Sequence, residues 1–315
     1  MNLIDPHVEL IDEQDQLKKI ELAGRTCYKS EAAITEDSAG KFVAALTKRK
    51  HYAMLEHGTF CFMLRLRDKR KTSELGEYVV YLQGNKYMNI SYVEKLEAWV
   101  VSCNARAVIE RKILDPVASA VFNMYPQLVQ NPDILSVPTR WPNIVATPVT
   151  LTSKNASEAD IRKHTFVTMR ITCDRGVTHE LVRHRPFSFA QESTRYCNYS
   201  KDQFKNELTF IRPSTFKDWS DKQQKLFCDT CRASETAYMD LVSSADTLTP
   251  QQARAVLNNA LKTEIVVTGN MEEWDHFFAL RYFGVTGAPH PDMKAVATLA
   301  YSIYEGIEKD LKINS

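Results

Sequence analysis

The chain is poor in the features that usually announce a role. It contains no run of eighteen apolar residues, so nothing in it reads as a membrane span. Lys and Arg number 40 against 39 Asp and Glu, a net charge of +1. So balanced a surface lacks the broad basic field that nucleic acid needs, and any anion site must be local. Among 10 glycines neither GxGxxG nor GxxxxGK[ST] occurs, which removes the Rossmann and P-loop ways of holding phosphate. The seven cysteines are odd in number and scattered, as expected of reduced thiols in a cytosol. Cys228 and Cys231 form one C-x-x-C without a second pair, which argues against zinc. The acidic start, MNLIDPHVELIDEQDQ, has no signal-peptide core, so a cytoplasmic location is expected. No internal repeat of domain size and no low-complexity segment stand out. The remainder, 44% hydrophobic and 25% charged over 315 residues, is ordinary globular composition.

Against that plain background one stretch is unusual: Thr178 to Tyr199, THELVRHRPFSFAQESTRYCNY. Arg183, His184 and Arg185 are consecutive, and Arg195 follows. Neighbours on a helix point about 100° apart, so the three cannot share one face. Either some face solvent idly or they surround a polyanion. Pro186 disfavours further helix at Arg185, so the triplet sits where a helix gives way to a loop. Upstream, Val167, Met169, Ile171 and Cys173 alternate with Thr168, Arg170 and Thr172, a strand pattern over 166–173. A strand, a short helix and a charged loop are a common mounting for a site.

The spacing predicts helices over 15–29, 36–50, 91–114 and 218–244, the last with Leu226, Cys231, Ala237, Tyr238 and Leu241 among its apolar positions. Phe60, Phe62, Leu64 and Leu66 mark a strand, with His51, Glu56 and His57 just before it. Residues 125–160, rich in Pro, Asn and Thr, read as a long surface excursion. Thr249-Pro250-Gln251-Gln252 is a helix start, and Arg254 shares its stripe with Leu257, Asn258 and Leu261. A strand over 262–269 leads to Asn270, an N-cap with Glu273 at N3, and a helix ending before Gly284. On that helix Arg281 lies at the edge of a stripe of Trp274, Phe277 and Phe278. A final helix, 291–310, turns Val296, Leu299, Ile303 and Ile307 inward.

RHR, seven residues, Ser, then RY within 183–196 resembles the signature of the flavin-dependent thymidylate synthases. The His-x-x-x-x-Glu-His segment at 51–57, Ala253-Arg254 and Asn270 to Arg281 lie at that family's spacing. The resemblance and the element pattern imply an α+β (mixed α/β) fold, an antiparallel-rich central sheet flanked by long helices. A single domain over 1–315 with an insertion at about 68–163 is expected, because the compact members have no such segment. The resemblance implies FAD as cofactor, dUMP as substrate, methylenetetrahydrofolate and NADPH as co-substrates, and a homotetramer with shared sites. The implied reaction is reductive methylation of the uracil ring at carbon 5 without an enzyme nucleophile. Cys197 and Ser193 look like nucleophiles, but neither has a His and acid to orient it in sequence.

Carried over residue by residue, Glu180, Arg183, Gln191, Ser193, Thr194, Arg195, Arg254 and Arg281 fall where the family holds dUMP. Arg281 would stabilise the anionic uracil, the catalytic role. His51, Arg183, His184, Arg185, Gln191, Asn270 and His276 fall where it holds FAD. There are departures. Glu180 stands where Gln is usual and would need a compensating partner. Glu272 stands where Arg is frequent near the flavin. SCNARA at 102–107 echoes the missing Asn-x-Arg element, so Arg106, on the expected helix 91–114, is the substitute cation. A relative that transfers another one-carbon unit, such as hydroxymethyl, and a non-catalytic nucleotide- or flavin-binding homologue are the rival readings.

Overall fold

A computed structural model describes residues 1–201, 204, 206–243 and 248–313. In chain order the first elements are β1 (Asn2–Ile4), β2 (His7–Leu10), α1 (Gln16–Tyr28), α2 (Ser38–Lys48), β3 (Thr59–Leu66) and α3 (Thr72–Gln83). Then come β4 (Met88–Val93), β5 (Ala98–Asn104), α4 (Ala105–Ile109), α5 (Pro116–Met124), β6 (Ile144–Pro148), α6 (Glu158–His164) and β7 (Phe166–Asp174). The chain continues with α7 (Arg175–Leu181), β8 (Ser188–Gln191), β9 (Thr209–Ile211), α8 (Asp221–Ser243) and α9 (Pro250–Ala253). It finishes with β10 (Lys262–Asn270), α10 (Met271–Arg281) and α11 (Pro291–Leu311). Residue 244 of the expected helix 218–244 lies outside the described residues. No helix among them is long and apolar enough to cross a membrane.

The α+β class holds, and the sheets are largely antiparallel as expected. The strands are divided between two four-stranded sheets, β2-β7-β10-β8 and β4-β5-β3-β6, with a short parallel pair β1-β9. The expected helix 91–114 is overturned. Its first part is the β4-β5 hairpin, turned through a 3-10 turn at Glu94–Leu96 and Glu97 with φ +48°, and only Ala105–Ile109 is α-helical. Tyr92, Val93, Trp99, Val100 and Val101 are β-branched or aromatic and suit a pleated surface. Val100 to Cys103 are buried consecutively, so the strand is covered on both faces and its alternation is lost. The surface excursion at 125–160 is also corrected: β6 pairs with β3, and α6 carries a full capping box from Ser157 and Asp160.

Other expectations change in detail. The Pro250 helix lasts one turn, followed by a 3-10 turn at Arg254–Val256, so Arg254 never joins a helical stripe with Leu261. Cys231 and Tyr238 on α8 and Val296 on α11 are buried as expected, but Leu226 is 67% exposed and Leu299 40% exposed, while Ser234, Met293, Ala297 and Ala300 are buried.

Although no repeat shows in the sequence, the two sheets share one plan. Asn104, at the end of β5, pairs with Thr59, the first residue of β3; Asn270, at the end of β10, pairs with Phe166, the first residue of β7. Phe62 opposes Pro148 as Met169 opposes Leu10. Ser102 opposes Asn89 as Thr268 opposes Ser188. Each Asn caps the helix that follows its strand. Just past each cap, Ala105 N–H donates to the Gly58 carbonyl at 2.8 Å and Met271 N–H to that of Thr165 at 3.0 Å. Each sheet also lends residues to the other's core: Val266 packs with β3 and β5, Val100 with β7 and β10.

Candidate active site

The site is mounted where β7 runs out. Asp174 caps α7, its Oδ1 accepting from Val177 N–H at 2.8 Å, and the helix lasts two turns before Pro186 forbids more. The basic triplet therefore lies in a turn, and the turn sorts it. Arg183 and Arg185 point to solvent, while His184 is only 7% exposed. The ring of His184 meets Phe277 edge-on at 5.1 Å and lies 6.2 Å from His276. Burial, with the charge of Arg281 and then His276 added, pushes its pKa down to about 4. It is neutral at neutral pH, so Nε2 accepts from Arg281 Nε–H at 3.1 Å. The other arm of Arg281 reaches Glu180, Nη1 to Oε2 at 3.1 Å. The helix stripe is as expected: Trp274, Phe277 and Phe278 are buried, and Arg281 leaves its edge half-buried.

The second half of the motif is pinned from behind. Glu192 is 1% exposed and accepts from Lys262 Nζ at 3.0 Å and from Tyr199 Oη at 2.9 Å. Lys29 reaches Glu264 at 2.9 Å, and Lys262 pairs with the same carboxylate. Burial alone would raise Glu264, but Lys262 and Lys29 hold it down at about 2. Ser193 N–H donates to the Cys27 carbonyl at 3.0 Å. Behind this frame Thr194 is buried, Ser193 is half-buried, and Arg195 and Tyr196 project outward. Tyr196 meets Tyr28 edge-on at 5.5 Å, and the Tyr28 hydroxyl bonds to His51 Nδ1 at 2.7 Å, which brings His51 to the same loop. Gln191 joins the two halves: Nε2 donates to Thr178 Oγ1 at 3.0 Å and to Thr263 Oγ1 at 3.3 Å.

Arg183, Arg185, Arg195 and Arg254 are exposed and have no hydrogen-bond or ion-pair partner for their guanidinium groups among the described residues. Asn270 is buried and occupied at both ends. Oδ1 accepts from Glu273 N–H at 2.9 Å, and Nδ2 donates to the Lys163 carbonyl at 3.1 Å. His276 is exposed beside His184. Glu272 is exposed in the first turn of α10, where the helix dipole favours an acid. Arg106 is not a spare cation. Nη1 pairs with Glu56 at 2.6 Å and Nε with Glu110 at 3.0 Å, so its charge is already met by two carboxylates. Cys197 is 1% exposed, and burial, with Glu192 second, pushes its thiol up to about 12.

Lys29, Lys262 and Glu264 escaped the sequence reading. They come from the end of α1 and from β10, and no spacing links a helix end to a strand more than 200 residues on.

Residues 153–307 match the family described as thymidylate synthase complementing protein. That match spans 155 of the 315 residues, just under half of the chain, which over this part is similar to the family. The chain is 37% identical over 135 residues to the flavin-dependent thymidylate synthase of Mycolicibacterium gilvum, a match covering 38% of this chain and 51% of that one. It is 33% identical to the flavin-dependent thymidylate synthase of Mycobacterium tuberculosis over the same length and coverage. The chain spans about half the length of these curated relatives. Among solved structures, a UMP/dUMP methylase, PolB of Streptomyces cacaoi, aligns over 97% of this chain and 93% of its own at 14% identity and TM-score 0.42. The family match begins after β6, so the whole sheet β4-β5-β3-β6 lies outside it.

Proposed function

We propose that the chain is a flavin-dependent thymidylate synthase that methylates dUMP at carbon 5. It would use methylenetetrahydrofolate as carbon donor and NADPH as reductant. What supports this reading is the set of four exposed arginines without acid partners among the described residues, Arg183, Arg185, Arg195 and Arg254, together with the half-buried Arg281. Guanidinium forks match phosphate bidentately, so this donor set fits a nucleotide monophosphate and a flavin diphosphate. Arg183, Arg195 and Arg254, with Ser193, Thr194, Glu180 and Gln191, would hold dUMP. Arg183, His184, Arg185 and His276, with Gln191, Asn270 and His51, would hold FAD. Asn270 acts there through the backbone it caps, since its own polar atoms are already bonded.

Reduced flavin, when bound, supplies the hydride that completes the new methyl group. The protein's part is electrostatic. Arg281 has five N–H donors, and Glu180 and His184 engage two of them, which leaves three for the uracil imide. A permanent cation at that edge favours the anionic ring, whose carbon 5 is then nucleophilic. No thiol takes part, in keeping with the buried, proton-holding Cys197. We also propose a single domain over 1–315 with the segment 68–163 inserted, a homotetramer, and a cytoplasmic location.

The test is purification followed by the visible spectrum and a turnover assay with dUMP. An oxidised-flavin spectrum and a product heavier by one CH2, a methyl group in place of the carbon-5 hydrogen, support the reading. A hydroxymethylated product would indicate the other one-carbon transfer. Bound flavin without any turnover would indicate a binding homologue.

A further inference from the structure

The two sheets are related across, as well as alike. His57 stands before β3 where His164 stands before β7. His57 Nδ1 bonds to Thr268 Oγ1 of β10 at 2.8 Å, and His164 Nδ1 bonds to Ser102 Oγ of β5 at 2.9 Å. Thr268 and Ser102 are equivalent, each two residues before its capping Asn. Both rings are buried, at 0% and 3% exposure. A contact made by one unit on the other and returned in kind is the mark of a two-fold, isologous interface. Val266 and Val100 make the same exchange in the two cores.

A cleft of about 420 Å³ opens where the two units meet. Counted back from the paired strand residues Asn89 and Ser188, its walls are matched: Lys86 with Arg185, Tyr87 with Pro186, Asn89 with Ser188. Thus the arginine motif and the segment outside the family match each contribute one cation to the same cleft. Lys86 and Arg185 are both exposed, and Lys86 Nζ lies over the ring of Tyr87 at 4.9 Å. Two acids also line the space. Glu56 shares Arg106 with Glu110, at 2.6 and 3.0 Å, and Glu273 accepts from Asn270 N–H at 2.8 Å. Lys86 and Arg185 are thus the lining cations without a carboxylate partner among the described residues, and they stand beside an aromatic ring and an amide.

We infer that residues 51–109 with 144–149 form a second copy of the family unit, and that the cleft between the copies binds a phosphate-bearing ring ligand, the flavin, with Lys86 and Tyr87 supplying the half opposite Arg185. The inference rests on the flavin reading above and adds residues that this reading does not contain. The copy lacks the arginine triplet, so the cleft is one-sided: Lys86 is a point charge for a phosphate, Tyr87 a face for a ring, and Arg185 the fork across from them. The segment 68–163 is then the part of the chain that builds the other wall of the site.

The experiment is titration of the full-length chain with FAD and separately with dUMP, for wild type, Lys86→Ala, Lys86→Arg, Tyr87→Ala and Arg185→Ala. Lys86 and Tyr87 are exposed, so loss of fold is not expected, and far-UV circular dichroism checks it. Lys86→Ala should weaken FAD about tenfold or more, the scale of one charge-assisted hydrogen bond, and Lys86→Arg should restore it. Tyr87→Ala should weaken FAD too, with dUMP affinity changed by less than about twofold. FAD affinity unaltered in Lys86→Ala while Arg185→Ala loses it would overturn the shared cleft and leave the flavin reading intact. A loss of dUMP affinity in place of FAD affinity would overturn the assignment of ligand. A wild-type chain that takes up no flavin would sink both readings together.

Discussion

Arg281 and Glu180 meet at 3.1 Å, from the end of α10 to the end of α7, across 101 residues of chain. An acid at 180 needs a cation to offset it, and that cation is the arginine proposed to work on the substrate. His184 takes the second arm through a ring nitrogen that burial keeps free of a proton. The guanidinium is thereby oriented from two sides before any ligand arrives, the kind of preorganisation that electrostatic catalysis requires.

Arg281→Lys should keep the fold and lose turnover by about 10²-fold or more, because an ammonium cannot hold Glu180 and His184 and still present a planar fork. Glu180→Gln should stay within about tenfold of wild type, since an amide oxygen still accepts from Nη1, whereas Glu180→Ala should lose more. Turnover with dUMP in Arg281→Lys equal to wild type would remove Arg281 from the chemistry.

Cys197→Ala and Cys27→Ala should both remain active. Burial raises these thiols to about 12 and about 11, so neither supplies a thiolate at neutral pH. A folded Cys197→Ala protein without activity would revive covalent attack by the thiol.

Stability should fall as pH drops from about 6.5 towards 4. Burial lowers His57 to about 3, and His164 and His184 to about 4, against an ordinary 6.5. The unfolded chain takes up those protons first, so acid favours it. Glu273 works the other way. Burial raises its carboxyl to about 7, so its contribution is lost as pH rises from 4.5 through 7. Three histidines outweigh one carboxyl, leaving roughly two protons, each about 1.4 kcal/mol per pH unit. Urea midpoints at pH 7 and pH 5 check the sign; greater stability at pH 5 would contradict it.

Asn270→Ala should cost about 1–2 kcal/mol by removing the cap of α10, and the bond to the Lys163 carbonyl goes with it. Asn270→Asp keeps the cap acceptor but loses that donor, so it should fall between wild type and Ala. Thermal unfolding of the three proteins gives the order, and an Asp variant below Ala would refute the division of roles.

The sequence by itself determined what rests on neighbours in the chain. The 166–173 alternation, the capping box at Asn270 and Glu273, the stripe of Trp274, Phe277, Phe278 and Arg281, and the break at Pro186 are all signals read within a turn or two. So the motif loop and its two supports were legible before any coordinates. Only the tertiary structure decided which partners those side chains meet. Arg281 finds Glu180 and His184 at a separation that no periodicity reports, and Arg106 spends its charge on Glu56 and Glu110. Residues 91–104 were misread because a strand covered on both faces loses its period of two, and a run of apolar residues then fits a helix equally well. The likeness of the two units was invisible for a related reason. It is kept in backbone register and in a few scattered identities, His57 with His164, Val100 with Val266 and Asn104 with Asn270, which lie too far apart in the chain to read as a repeat.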